Sequence, residues 1–209
     1  MYVPEAFAVT DEGESAALLE RLAFGCLVTH GPDGLFASHL PFVHDAERRV
    51  LAGHLARANP HRSRARETEA LVIFQGPNAY VSPSFYPSKV KHGRVVPTWN
   101  YEAVHVKGQL SWNEDPAWLR AHLNALTNRF EESRAKPWAV EDAPAEYLDR
   151  MIGGVVGLEI AVDDVQAKRK LSQNRDDPDR LGVIAGLSAS DSATDRTVAA
   201  AMNDVGVKR

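Results

Sequence analysis

Three groups of basic side chains are the first features of this sequence that could do chemistry. Arg57, Arg62, Arg64 and Arg66 fall within ten residues with no acid before Glu67; Lys89, Lys91, His92 and Arg94 form a second group; Lys168, Arg169, Lys170 and Arg175 form a third. The chain as a whole carries 24 Lys and Arg against 28 Asp and Glu, a net charge of −4, so these clusters are local. Local cations in an acidic chain suit one small anion better than the long anionic lattice of a nucleic-acid duplex. Arg57 stands at a strand-to-helix transition, His54-Leu55-Ala56-Arg57-Ala58-Asn59-Pro60. There a guanidinium fork and the amides of a helix start can meet the same phosphate. For Arg62, Arg64 and Arg66 the plainer alternative is a solvated helix face.

A second concentration is aromatic and polar. Ala79-Tyr80-Val81-Ser82-Pro83-Ser84-Phe85-Tyr86 and Val96-Pro97-Thr98-Trp99-Asn100-Tyr101 flank a loop with rings, amides and hydroxyls. A flat heteroaromatic ligand needs such apolar faces and edge donors, although a packed loop closing a barrel mouth or lining a dimer interface fits equally. Lys170-Leu171-Ser172-Gln173-Asn174 offers a cation, a hydroxyl and two amides in five residues, against the plain reading of a polar turn. Other chemistries lack their signatures. No GxxxxGK[ST] loop and no GxSxG elbow occurs, and the Gly153-Gly154-Val155-Val156-Gly157 run reads as a helix stop feeding a strand. His39 with His44, or His54 with His61, does not sit at a metal-ligand spacing, so no metal is expected. No residue stands out as an obligatory catalytic acid or base.

The elements that must carry these residues are short. Asp11 and Glu14 form a capping signature before a helix with Leu18, Leu19, Leu22 and Ala23 on one face, ended by Gly25. Strand patterns follow at residues 26–30, 35–43 and 49–54, with a turn at Gly31-Pro32-Asp33-Gly34. Asn59-Pro60 opens a short basic helix. Residues 70–74 and 79–82 are β-prone around a turn at Gly76-Pro77-Asn78, residues 83–97 are a loop, and residues 98–112 return to strand. Helical periodicity then runs from Asp115-Pro116 through Phe130 and again over residues 144–152, followed by a strand at 154–162 and a helix at 181–187. Residues 188–192 are small and polar, and residues 194–205 read as a weak helix. Short strands at hairpin spacing with helices outside the run predict a mainly β, α+β fold: a small barrel with flanking helices.

Composition sets the outer bounds. With 209 residues, 44% hydrophobic and 25% charged, the chain is an ordinary globular one, long enough for one sizeable core. The single Cys26 forms no internal disulfide, the N-terminus lacks a signal-like pattern, and no apolar run approaches a membrane span. A cytoplasmic location is the expectation.

Several stretches together, in order, resemble the PaiB family of FMN-binding negative transcriptional regulators. They are Met1-Tyr2-Val3-Pro4 with Phe7, Ser38-His39-Leu40-Pro41-Phe42, Gly53-His54-Leu55-Ala56-Arg57-Ala58-Asn59-Pro60, Phe74-Gln75-Gly76-Pro77 with Ala79-Tyr80-Val81-Ser82-Pro83, Val96-Pro97-Thr98-Trp99-Asn100-Tyr101, and Lys170-Leu171-Ser172-Gln173-Asn174. Phe85 departs from the Trp expected there, and the last twenty or so residues match least well.

The resemblance implies an FMN-binding split β-barrel over residues 1–187, with a helical insertion at about 115–152 and a tail, 188–209, beyond it. It also implies a homodimer with flavin at the subunit interface, for which Trp99, Tyr101 and the loop before them are candidate contacts. By position, Ser38, His39, Leu40 and Pro41 would run beside the flavin ring. His54, Leu55, Ala56, Arg57 and Asn59 would hold the ribityl phosphate, and Gln75, Gly76, Lys170, Ser172, Gln173 and Asn174 would complete the site. The activity stays open between a flavin-dependent regulator and an FMN-dependent oxidoreductase, with haem another option in split-barrel relatives. Direct DNA binding is disfavoured by the negative net charge and the lack of a helix-turn-helix pattern.

Overall fold

The computed structural model describes residues 1–65 and 68–205; Arg66 and Glu67, at the end of the first basic cluster, and residues 206–209 lie outside the described residues. The elements are β1 (Ala8–Val9), α1 (Glu12–Leu22), β2 (Phe24–Gly31), β3 (Gly34–Asp45), β4 (Val50–Ala56), α2 (His61–Arg64), β5 (Thr68–Val81), α3 (Ser88–His92), β6 (Thr98–Asn113), α4 (Pro116–Glu131), α5 (Ala145–Gly153), β7 (Val155–Lys170), α6 (Asp177–Ser188) and α7 (Ala193–Asp204). The strands form a sheet in the order β1-β7-β4-β3-β2-β5-β6, and β7 also pairs with β6. The pairings therefore run in a ring from β7 back to β7, with β1 added outside it. The expected mainly β fold with flanking helices is what the chain forms. Among the described residues no helix is long and apolar enough to cross a membrane.

By contact density the chain divides into two compact units. Unit 1 comprises Met1–Ser15, Gln75–Val104 and Gln166–Arg209; unit 2 comprises Ala16–Phe74 and His105–Val165.

In unit 2 the period-2 alternation of the strands builds the core. Leu27 of β2, Leu40 and Phe42 of β3, Leu51 of β4, Val72 and Phe74 of β5, and Leu158 and Ile160 of β7 are all almost wholly buried. Each such side chain stabilises the fold by roughly 1.5–3 kcal/mol relative to exposure. The β2–β3 hairpin turns at Gly34, whose φ of 96° is open to glycine. Gly25 has a different job from the one expected of it. The helix α1 ends at Leu22, Ala23 takes the positive φ of 25°, and Gly25 already lies in β2. A Cβ on Gly25 would sit 2.8 Å from the Phe74 ring, so packing demands the glycine. Helix α4 starts at Asp115, whose carboxylate accepts from the amides of Ala117 and Trp118, and it buries Leu119 and His122. Trp118 lies so close to Gly157 of β7 that a Cβ there would be 2.3 Å from the indole.

In unit 1 the core comprises Val81, Tyr86, Leu171, Val183, Leu187, Val198, Ala199 and Met202, drawn from β5, the loop after it, the end of β7, α6 and α7. Residues 188–205, read from sequence as a polar tail with a weak helix, are built into this core. Ser190 Oγ donates to Asp195 Oδ2 at 2.7 Å, Ser192 caps α7, and buried Arg180 donates to the carbonyls of Met202 and Val205. The pattern is faint because two of the four buried residues of α7 are alanines.

Several boundaries differ from the sequence expectation: α3 (Ser88–His92) forms inside the expected loop at 83–97, α6 begins at Asp177 and not at 181, and two further differences bear on the site. β5 runs unbroken through Gly76-Pro77-Asn78, where a turn was expected. β7 continues to Lys170, so the third basic cluster begins on a strand, not in a loop. Its far end pairs with β1, Ala8 opposite Lys168 and Val9 opposite Ala167. A two-residue partner strand more than 150 residues upstream leaves no local signature.

Candidate functional site

The sequence-predicted residues fall into both units, and each set has its own geometry. In unit 2, Ser38 of β3 and Asn59 meet at a histidine. His61, fully buried at the start of α2, holds Ser38 Oγ at 2.9 Å through Nδ1 and Thr29 Oγ1 at 3.0 Å through Nε2. Asn59 Oδ1 accepts from the His61 amide at 2.9 Å, and its Nδ2 donates to Ser38 Oγ at 3.3 Å. Phe36 packs edge-on to the His61 ring, with centroids 5.0 Å apart. Burial pushes the His61 imidazole down to about 4, so it is neutral at pH 7. Ser38 and Asn59 are thus tied into a polar cluster whose donors and acceptors answer each other.

His54 of β4 turns to α4 instead. Its Nδ1 lies 3.1 Å from His122 Nε2, and the His122 ring stacks on Trp118 with centroids 5.2 Å apart. Burial lowers both imidazoles; His122, further lowered by the neighbouring His54, falls to about 4. His54 and His61 are therefore separate structural groups, and no three His, Cys, Asp or Glu side chains converge as a metal site among the described residues.

Arg57 is also engaged. Nε and Nη2 donate to the carbonyls of Gly153 and Val155, both at 3.0 Å, where α5 ends and β7 begins. Nη1 donates to Glu114 Oε2 at 2.7 Å, and Arg62 binds the other oxygen of the same carboxylate. Glu114 is held below the usual carboxylate value, chiefly by its hydrogen bond from Arg57. Three of the five guanidinium donors are occupied by protein, and Arg57 brackets β4, α5 and Glu114. A cleft of about 460 Å³ opens beside it, lined by Leu119 and Ile152. Its charges are paired, Arg57 with Glu114 and Arg120 with Asp149.

The outer face of the same barrel wall is apolar. Register places Phe24 opposite Pro41, Cys26 opposite His39, Val28 opposite Ala37 and His30 opposite Leu35; on the other flank of β2, Ile73 faces Cys26 and Leu71 faces Val28. Phe24 and Leu35 are 59% and 75% exposed. The Phe24 ring stacks on His39 at 6.4 Å with an interplanar angle of 19°. Of the predicted word Ser38 to Pro41, then, His39 and Pro41 face outward, while Leu40 is buried in the core, as is Leu55 of the next word. Ala56 is exposed at the end of β4.

In unit 1, Gln75 and Gly76 lie on β5, with Gln75 exposed. Lys170, Ser172 and Asn174 line a smaller cleft of about 140 Å³ together with Phe7, Thr98, Asn100 and Arg175. Lys170 Nζ donates to Thr98 Oγ1 and the Trp99 carbonyl, each at 2.5 Å. Ser172 holds a left-handed φ of 64° and its buried hydroxyl lies 2.9 Å from Asn100 Nδ2. Gln173 closes the turn on itself: its Oε1 accepts from the Leu171 amide and its Nε2 donates to the Arg169 carbonyl. Its amide is therefore a backbone clamp. Burial, and then the positive charges of Lys168 and Arg175, pull the Lys170 ammonium below the usual lysine value. Neighbouring Arg169 points elsewhere, to fully buried Glu102 at 2.7 Å and to Glu14 at 3.1 Å. Nearby, Tyr80 and Trp99 form an exposed edge-to-face pair at 6.0 Å.

Sequence reasoning missed Arg175 and Thr98 as cleft residues, and His61, His122 and Glu114 as the partners that occupy the expected ones. Arg175 directly follows the Lys170–Asn174 word and belongs to the same basic group, a usable signal. The others are reached only through pairings across the fold.

Unit 2 carries an apolar, partly aromatic strand face of the kind that suits a flat ring, and unit 1, taken by itself, carries a polar cationic cleft of the kind that suits an anion. Residues 1–164 match a family model described as "Putative FMN-binding domain". The protease synthase and sporulation protein PAI 2 of Bacillus subtilis is 35% identical over 98% of this chain and 97% of its own length. An uncharacterized protein of Emericella nidulans is 35% identical over 72% of this chain and 74% of its own. Among solved structures, the FAD and heme binding protein from Mycobacterium smegmatis superposes with a TM-score of 0.57 at 17% identity, covering 78% of this chain and 73% of that one. The flavocytochrome Anf3 from Azotobacter vinelandii gives 0.56 at 11%, covering 82% and 70%. These likenesses bear on the fold, which is the split barrel. With its model match and its full-length relative together, the chain belongs to the PaiB family of FMN-binding domains.

Proposed function

We propose that this FMN-binding domain works as a flavin-dependent negative regulator in the cytoplasm, in which bound FMN is a signal and not a turnover cofactor. The observation that carries this reading is the engagement of the buried imidazoles within and just after the Gly53–Pro60 word. His54 is held by His122, and His61 by Ser38 and Thr29. A general acid or base must reach the reacting atom, and these groups already face the protein. FMN when bound supplies the redox chemistry; the chain's residues supply binding and orientation.

The working unit in this reading is a homodimer. The face built by Phe24, Leu35, Ala37, Pro41, Leu71 and Ile73 is a sheet surface that a second copy can cover around a two-fold axis. The exposed Phe24–His39 stack gives a flavin ring a plane to lie against.

The test joins spectroscopy to turnover. Purified protein titrated with FMN should show a flavin spectrum and quenched flavin fluorescence, with little steady oxidation of NADH or NADPH. Transcription from target promoters should respond to the bound flavin. Sustained multiple-turnover oxidation of a reduced nicotinamide by the loaded protein would give the molecule to the oxidoreductase reading. Tight binding of a promoter fragment at about 150 mM salt, without a partner, would make the regulator a direct DNA binder.

A further inference from the structure

In unit 1 the last turn of β7 separates its cations by what answers them. Arg169 meets two carboxylates, Glu102 and Glu14. Lys168 donates to the Tyr2 carbonyl and lies over the Tyr2 and Tyr101 rings, 5.7 Å and 5.1 Å from their centroids. Lys170 faces only oxygen dipoles, and Arg175 lies 5.1 Å from the Tyr86 ring centroid. Among the described residues no carboxylate stands within ion-pair distance of Lys170 or Arg175. Asp179, which attracts Arg175 from beyond ion-pair distance, takes its hydrogen bonds from the Ser88 amide at 3.0 Å and the Ser88 hydroxyl at 2.6 Å. No carboxylate lines the cleft itself, so Lys170 and Arg175 repel each other there and an anion between them relieves the repulsion.

We propose that the cleft of Thr98, Asn100, Lys170, Ser172, Asn174 and Arg175 is a phosphate site, taking a dianionic phosphate monoester or inorganic phosphate. Its volume, about 140 Å³, suits a single phosphoryl group and not a whole nucleotide. Its donor set suits the same group. Arg175 supplies a planar fork, Lys170 a point charge, and Asn174 an exposed amide with two N–H donors. Phe7 closes one wall with apolar surface, which strengthens charge pairing beside it. The left-handed Ser172 turns the chain sharply after Lys170 and brings Asn174 and Arg175 back to line the same cleft, a strained conformation held by the Asn100 bond and the Gln173 clamp.

This assignment moves the phosphate from Arg57, whose fork is occupied, to the third basic cluster. The phosphate of FMN and free phosphate share the chemistry, and the experiment separates them. Only the FMN arm rests on the cofactor reading above. FMN and riboflavin are titrated by fluorescence quenching, and inorganic phosphate by calorimetry, against wild type, Lys170→Gln, Arg175→Gln and the exposed control Lys91→Ala, with thermal melts to confirm folding. If the cleft holds the flavin phosphate, wild type prefers FMN over riboflavin by about tenfold or more, and each cleft variant loses about tenfold of that preference with riboflavin affinity unchanged. If the cleft takes free phosphate, calorimetric binding disappears in both variants while the flavin preference stays. Wild type that ignores both flavins yet binds phosphate through Lys170 and Arg175 keeps this site and removes the FMN reading. Folded cleft variants that match wild type and Lys91→Ala in every titration overturn the proposal.

Discussion

Arg57 with Arg62, and Lys170 with Arg175, look alike as basic pairs beside polar words, yet the fold treats them in opposite ways. In unit 2, Glu114 binds both arginines and two backbone carbonyls take the rest of the Arg57 fork. In unit 1, Lys170 and Arg175 line one cleft that no carboxylate lines, and Asp179, which attracts Arg175 from beyond ion-pair distance, is hydrogen-bonded by Ser88. The difference shows that a basic cluster is read by its counter-charges, not its density. A cation already bridged to an acid offers a ligand little; one left beside another cation makes the cleft attractive to an anion.

The largest effect expected of a single substitution tests the paired side of this contrast within unit 1. Arg169→Ala removes the guanidinium that meets wholly buried Glu102. Breaking such a pair from one side typically costs about 3 kcal/mol or more, which corresponds to a melting temperature lower by about 10 °C. A melt within a degree or two of wild type would mean the pair is not structural, and Arg169 would rejoin the ligand candidates. It is therefore no neutral control for Lys170, although the two are adjacent in sequence.

The next effect is on pH. His61 and His122 are held near 4 by burial against an ordinary 6.5. Each is neutral in the fold but free to protonate when unfolded, so stability is full above 6.5, falls as pH drops below 6.5, and levels off near 4. The loss is about 3 kcal/mol for each imidazole by the time it levels off. Denaturant melts at pH 7 and 4.5 check the sum, and proton NMR checks the sites. Imidazole signals of His61 or His122 that titrate near 6.5 would show that these clusters open, and would return His54 and His61 to the list of groups available to a ligand.

A middle-sized effect concerns the outer face of unit 2. Leu35→Asp adds a charge to an exposed position, so the monomer fold should change by less than about 0.5 kcal/mol. If the face is the dimer interface, light scattering should show the variant as a monomer at micromolar concentration. A variant as dimeric as wild type would move the interface elsewhere, with Tyr80 and Trp99 of unit 1 the next exposed apolar pair.

The smallest effect sharpens the comparison itself. Glu114→Gln takes the acid away from Arg57 and Arg62, all three of them solvent-accessible, so the melting temperature should stay close to wild type. The freed arginines should then show a weak phosphate affinity that wild-type unit 2 lacks. If instead Glu114→Gln changes FMN affinity as strongly as Arg175→Gln, the phosphate belongs to unit 2 after all.

Much of this was written locally in the chain. The alternation in residues 26–30 and 35–43, the Gly31–Gly34 turn and the Asp115-Pro116 start gave strands, hairpin and helix, because each rests on backbone preferences and period, which neighbours in sequence settle. The ordered words around His54 and Lys170 marked the family, because matched residue types in order survive without knowledge of the fold. What the tertiary structure decided was which way those residues face. His54 meets His122 sixty-eight positions away, Arg57 meets Glu114 fifty-seven away, and Lys170 meets Thr98 seventy-two away. Pairings over such separations are set by strand register and helix docking, so whether a histidine or an arginine is free for a ligand becomes visible only when the chain has closed around it.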